Sequence, residues 1–172
     1  MQKKNTMKND PEKLDWGQQQ HPNSCTRRLQ FCAGHRVMKH ESKCAHLHGH
    51  NYVALITAHG PGLDDVGRVI DFGVLKERVG GWIDDQWDHG LVLNKEDKEL
   101  IEMVADFKVR KSAVEGLGYQ KLYLMKNNPT AENMAAHLLW HVCPDVLHGT
   151  GVKVRRVRLW ETENCYADAS YK

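Results

Sequence analysis

The sequence predicts an α+β fold with a largely antiparallel sheet. Three observations carry that prediction: two early stretches of apolar residues with period two, two later stretches with helical period, and a last period-two stretch near the end. The 172 residues, 41% hydrophobic and 27% charged, suffice for one domain with a proper core, and a second domain is not expected.

Residues 1–25 are polar, with Gln18, Gln19, Gln20, Pro11 and Pro22, and read as an N-terminal extension without a catalytic role; residues 26–172 form the single domain. From Thr26 to Val37, Leu29, Phe31, Ala33 and His35 alternate with Arg28, Gln30, Cys32 and Gly34, which predicts a strand with His35 on its apolar face. A second strand runs from Gly49 to His59. Turn sequences at Gly60-Pro61-Gly62 and Asp64-Asp65-Val66-Gly67 lead to a short strand at Arg68 to Ile70, closing an antiparallel hairpin.

Asp71 stands at an N-cap position, and Phe72, Leu75, Val79, Trp82 and Ile83 follow at helical spacing, so a helix is expected over 72–86. Residues 97–107 read as helical, 108–118 as a polar, glycine-bearing loop or insertion, and 122–125 as a short strand. Thr130 caps a second long helix over 131–143, marked by Met134, Ala135, Leu138, Leu139 and Val142. The last strand spans 152–163. Its alternation slips between Val154 and Val157, which predicts a bulge near Arg155 and Arg156 and puts Val157, Leu159 and Glu161 on one face.

A net charge of +2 argues for no nucleic-acid partner. The basic run Lys153, Arg155, Arg156 and Arg158 reads as a solvated strand face, with a polyanionic small molecule as its other possible occupant. No run reaches the ~18 to 20 apolar residues that span a bilayer, and the residues after Met1 carry no apolar stretch of a signal peptide. A cytoplasmic protein with no membrane partner is therefore expected. Cys25, Cys32, Cys44, Cys143 and Cys165 are odd in number and lack paired spacing, as reduced thiols inside a cell would.

The chemistry concentrates in Lys43-Cys44-Ala45-His46-Leu47-His48-Gly49-His50-Asn51-Tyr52. On a strand, His48 and His50 point the same way and supply two metal ligands. His35, on the apolar face of the preceding strand, is well placed as the third; spacing alone leaves His46 as an alternative. Nitrogen ligation with an open position favours zinc over iron or nickel. His137 and His141 also have ligand spacing, i and i+4 on a helix, but Leu138 stands where a metalloprotease places its glutamate, and packing is the better reading.

Six ordered motifs, Phe31-Cys32-Ala33-Gly34-His35, Cys44 to Tyr52, Gly67-Arg68-Val69-Ile70-Asp71-Phe72, Trp87-Asp88-His89, Asn128-Pro129-Thr130-Ala131-Glu132-Asn133 and Leu159-Trp160-Glu161-Thr162, resemble the motif series of the 6-pyruvoyl-tetrahydropterin synthase superfamily. The resemblance covers residues 27–167. Three residues separate Cys44 from His48, which resembles the 6-carboxy-5,6,7,8-tetrahydropterin synthase branch of queuosine (7-deazaguanine) biosynthesis, whereas the biopterin branch has a longer gap. The folate-linked branch carries a glutamate just before the motif, and Ala45 and His46 show none.

What the resemblance implies is a tunnelling fold, an antiparallel four-stranded sheet with two helices packed on one face, assembled as a homo-oligomer, usually a hexamer. It implies Zn2+ on His35, His48 and His50, a catalytic acid/base set of Cys44, Asp88 and His89, and a pterin anchored by Glu161 with Thr130 and Glu132 lining its pocket. For Glu132, stabilisation of the helix N-terminus is an equal reading. The implied reaction converts 7,8-dihydroneopterin triphosphate to 6-carboxy-5,6,7,8-tetrahydropterin, acetaldehyde and triphosphate. Arg36, Lys43 and the run at 153–158 are candidates for the triphosphate. The rivals are 6-pyruvoyl-tetrahydropterin synthesis and a non-catalytic zinc or pterin-binding module. Residues 1–25 and an insertion around 95–125 make the chain longer than compact members.

Overall fold

Two twelve-residue strands form the spine of the sheet. β1 (Ser24–His35) and β2 (His48–His59) pair antiparallel along their full length, from Ser24 opposite His59 to His35 opposite His48. The computed structural model describes residues 24–109 and 120–171, so the expected polar extension, apart from Ser24 and Cys25, which belong to β1, and most of the 108–118 loop lie outside the described residues.

Four shorter strands, β3 (Gly90–Asn94), β4 (Leu122–Met125), β5 (Lys153–Thr162) and β6 (Cys165–Ser170), complete a sheet of order β4-β3-β1-β2-β5-β6. The sheet is mixed, because β3 runs parallel to β1 and β4 parallel to β3. Among the described residues it has six strands where the resemblance implied four. The expected strand at 68–70 is absent: the Asp64 carboxylate accepts from the amides of Val66 and Arg68 and from Arg68 Nε, so the backbone donors a ladder would use are taken locally. The bulge in the last long strand is present, since Thr57 faces Arg156 and Ala58 faces Val154, leaving Arg155 unmatched.

Helix α1 (residues 72–86) starts where Asp71 accepts from the Gly73 amide at 2.7 Å, and it contains one π-type stretch, Lys76–Gly80. It turns Leu75, Val79 and Ile83 to the sheet. Gly80 permits the close approach, because a Cβ there would lie 3.3 Å from the Leu29 side chain. α2 (Lys98–Val109) follows β3. α3 (residues 131–146) is capped by Thr130, whose hydroxyl accepts from the Asn133 amide, and buries Met134, Leu138, Leu139 and Val142. These residues close over Phe31, Tyr52, Ala54, Ile56, Val157 and Leu159 of the sheet. Each such side chain contributes ~1.5–3 kcal/mol on burial.

His137 belongs to this packing, as expected, whereas His141 is exposed. Its Nε2 accepts from the Tyr123 hydroxyl at 2.7 Å among Trp82 and Trp87, and burial lowers its pKa to about 4. Unfolded histidine titrates near ~6.5. The stability this neutral imidazole contributes is thus full above about 6.5 and is lost as pH falls toward 4. Thermal melting of wild type and His137→Gln between these limits should show the shallower pH dependence in the variant; equal slopes would remove His137 as a cause.

Candidate active site

The register of β1 against β2 builds the site. His35 faces His48 directly, and His50, two residues on, shares their side of the sheet. The ligand atoms of His35, His48 and His50 all lie within 4.8 Å of one another, the one metal-competent cluster of three or more groups among the described residues.

Hydrogen bonds at the far side of two rings orient their lone pairs. His35 Nδ1 donates to the Pro129 carbonyl at 2.7 Å, and His48 Nδ1 donates to the His46 carbonyl at 2.8 Å. A carbonyl only accepts, so the neutral tautomer of each ring leaves Nε2 bare and directed inward. Those two Nε2 atoms are 3.2 Å apart, and His50 Nε2 is buried with no hydrogen-bond partner among the described residues. His35 is 1% exposed, and burial lowers its pKa to about 4, opposed only in part by the Pro129 carbonyl. Burial also lowers that of His50. Neutral nitrogens facing each other without a proton repel, and a cation between them removes the conflict. Tetrahedral zinc with ligands at ~2.0–2.1 Å separates its nitrogens by ~3.3 Å, so the residues fit that metal. Both carbonyl contacts supply the outer bond that metal-binding imidazoles use.

Around this centre stand groups of other chemistry. Glu161 Oε1 lies 3.6 Å from His35 Nε2 and 3.9 Å from His50 Nε2. A register shift between β5 and β6 falls between Trp160 and Thr162, the kind of irregularity that re-aims a side chain. Beneath lies Tyr52, fully buried, its ring 5.6 Å from that of His50 and its hydroxyl without a partner among the described residues. Burial raises the Tyr52 pKa, and the negative charges of Glu161 and Cys44 raise it further, so the same hydroxyl feels both.

Cys44 is half-buried on a tight helical turn, Lys43–Ala45, in the connection between β1 and β2. That connection is closed by the Val37 amide donating to the Cys44 carbonyl at 2.8 Å. It is tied down by Asn128, whose amide oxygen accepts from the Met38 amide at 3.2 Å and whose Nδ2 donates to the Met38 carbonyl at 2.9 Å. Asn128 and Pro129 therefore hold the Cys44 loop and His35 from one segment. Sequence reasoning read Asn128 only as punctuation and motif; its spacing to Met38 carries no signal. Asn128→Ala should destabilise the fold by ~1–3 kcal/mol, read as a lower denaturation midpoint, and an unchanged midpoint would show the two bonds to be dispensable. His46 is exposed and offers its carbonyl rather than its ring.

Thr130 and Glu132 sit at the N-terminus of α3, the threonine hydroxyl engaged in capping and Glu132 exposed. No hydrogen bond joins either to the three histidines among the described residues. The candidate triphosphate cations also divide. Arg36 pairs with Asp97 through two nitrogens and with Glu99 at 3.3 Å. Arg156 and Arg158 both clasp Asp168, and Arg158 lies 3.8 Å over the Tyr166 ring. Lys43, Lys153 and Arg155 have no carboxylate partner among the described residues.

Asp88 and His89 occupy the turn between α1 and β3. Asp88 Oδ1 accepts from the Cys32 amide at 2.7 Å and Oδ2 from His89 Nδ1 at 2.8 Å. Burial would raise the Asp88 pKa, but these bonds outweigh it and the carboxyl is held below its usual range. The His89 side chain is 80% exposed and opens onto a recess whose lining includes Cys32, Gly34, His50 and Asn51. Cys32 and Asn51 alternate away from His35 and His50 along their strands. Within one chain Glu161 stands at the histidines, whereas the Asp88–His89 pair is tied to Cys32, whose side chain is on the opposite face of β1 from His35.

The sequence profile described as 6-pyruvoyl tetrahydropterin synthase matches residues 24–171. A Rickettsia bellii protein named 6-carboxy-5,6,7,8-tetrahydropterin synthase is 41% identical over 144 residues, covering 84% of this chain and 97% of its own. An Aquifex aeolicus protein of the same name is 30% identical over 159 residues, covering 81% of this chain and 93% of its own. Two solved structures share the fold. An uncharacterized protein from Wolinella succinogenes superposes with a TM-score of 0.70 at 23% identity, over 87% of this chain and 98% of that one. The 6-pyruvoyl tetrahydropterin synthase of Caenorhabditis elegans gives 0.55 at 21% identity, over 87% and 95%.

Proposed function

The chain belongs to the 6-pyruvoyl tetrahydropterin synthase family, and from that premise we propose that it is the carbon–carbon lyase forming 6-carboxy-5,6,7,8-tetrahydropterin. Its substrate is 7,8-dihydroneopterin triphosphate; water is consumed, and acetaldehyde and triphosphate leave with the pterin product, a step toward queuosine and related 7-deazaguanines. The observation that carries the reading is Cys44, separated from His48 by three residues, on the turn that leads into the strand bearing two of three converging imidazoles, with the Glu161 carboxylate next to them.

Zinc held by His35, His48 and His50 would polarise the hydroxyl oxygens of the substrate side chain and acidify the neighbouring C–H. Cys44, as thiolate, takes that proton. Glu161 accepts from the amino and ring N–H groups of the pterin, a two-point match for one carboxylate. Asp88 holds His89 Nδ1, leaving Nε2 outward to carry a proton to or from the side-chain oxygens. Thr130 and Glu132 extend the pterin pocket from the α3 N-terminus.

Because Asp88–His89 is tied to Cys32, on the opposite face of β1 from His35, we take the dyad to serve the site of a neighbouring subunit. The assembly is a homo-oligomer, a hexamer by family pattern. The edges of β4 and β6, which have no neighbouring strand among the described residues, are where subunits would join sheets. Five free cysteines suit a cytoplasmic setting, and no described helix is long and apolar enough to cross a membrane. We take residues 26–172 as one domain.

Mass spectrometry of products from 7,8-dihydroneopterin triphosphate, with zinc measured on the same sample, tests the reading. Acetaldehyde with the 6-carboxy pterin is the expected outcome. A product that retains the three-carbon side chain would instead assign 6-pyruvoyl-tetrahydropterin synthesis, and no product at all a binding module.

A further inference from the structure

We propose that Lys121 is the positioning residue of the Asp88–His89 turn: its ammonium ties the end of α1 to the dyad and sets the direction in which His89 is presented. The proposal rests on the reading of that dyad as the proton-handling part of the site.

Lys121 stands just before β4, in the 95–125 stretch that lengthens this chain. Its own carbonyl accepts from the Leu91 amide at 2.9 Å, so its backbone is fixed to the start of β3. From there its side chain crosses the turn, and Nζ donates to the Asp84 carbonyl at 2.6 Å and to the Asp88 carbonyl at 2.7 Å. The first of these lies among the terminal carbonyls of α1, which lack partners within the helix and carry the negative end of its dipole. An ammonium suits both, being a compact charge with three donors.

The turn needs such a clamp. His89 has a φ of 55°, the left-handed region that a residue with a Cβ seldom occupies. Residues in sparsely populated conformations persist only where their surroundings over-determine them. On the sheet side the Cys32 peptide does this, its amide bound by Asp88 and its carbonyl accepting from the His89 amide at 2.7 Å. On the opposite side, among the described residues, the Asp88 carbonyl has only Lys121. The lysine stem lies against Gly90, where an added Cβ would be 3.1 Å from Lys121 Cβ, Cγ and Cδ. Glycine at 90 and lysine at 121 are thus one fitted pair, and the motif Trp87-Asp88-His89-Gly90 is completed by a residue far along the chain.

The test uses the full-length, zinc-loaded protein with Lys121→Met, which keeps the stem without the charge, and Lys121→Arg, which restores a cation. Lys121→Met should lower kcat on the order of 10- to 100-fold with KM within about twofold, since misplacing a proton-transfer group costs that much while substrate contacts persist. Zinc content should match wild type. Hydrogen exchange at the His89 and Gly90 amides should accelerate about tenfold with β1 and β2 unaffected, and Lys121→Arg should recover both readings in large part. Wild-type kcat in Lys121→Met, or unchanged exchange at His89, overturns the proposal. So does loss of zinc or of β1–β2 protection in both variants, which would make the lysine a general structural residue. If wild type makes no pterin product, the functional reading fails by itself, and the exchange measurement still decides whether Lys121 sets the turn.

Discussion

Cys44→Ala is expected to lower turnover by ~10²–10⁴, the usual loss for a positioned proton-transfer group, while zinc remains at one per subunit. The separation of effects follows from the geometry. Metal ligation draws on ring nitrogens of His35, His48 and His50, and the Cys44 thiol is outside that set. The loop is anchored through backbone, by the Val37 amide on the Cys44 carbonyl and by Asn128 on Met38, and neither contact uses the side chain. Steady-state rates and metal analysis on one preparation decide it. Turnover within a few-fold of wild type would remove Cys44 from the chemistry, and zinc loss would make it a ligand.

His48→Ala should lose zinc and turnover together. With Nε2 of His48 gone, His35 and His50 leave two protein nitrogens, and catalytic zinc typically takes three protein ligands. The apo fold should survive, because His48 is only half-buried at the first position of β2 and is not one of the hydrophobic core residues. Circular dichroism near wild type, zinc near zero and undetectable product are the joint expectation. Full zinc occupancy in this variant would sink the three-histidine centre.

Long periodic segments were legible in the sequence. The alternation of Leu29, Phe31, Ala33 and His35, the caps at Asp71 and Thr130, and the slip near Arg155 each express a local rule, and each appears in the structure. β3 and β6 were not foreseen because five or six residues hold too little pattern to separate a strand from an apolar run. The opposite error at Arg68–Ile70 has a local cause in the Asp64 carboxylate, which competes with a ladder for the same donors.

By itself the sequence determined which groups share a strand face. A side-chain period of two puts His48 and His50 together, and the same parity sets Cys32 apart from His35 whatever the rest of the chain does. Tertiary structure alone decided what crosses between segments: His35 opposite His48, the Pro129 carbonyl on His35, Asn128 on the Cys44 loop, Arg36 spent on Asp97, and Lys121 on the Asp88 carbonyl. Those contacts join residues 13 to 94 positions apart, and they arise from strand register and helix docking. Burial of the apolar face selects both, and that is a property of the whole chain rather than of any motif in it.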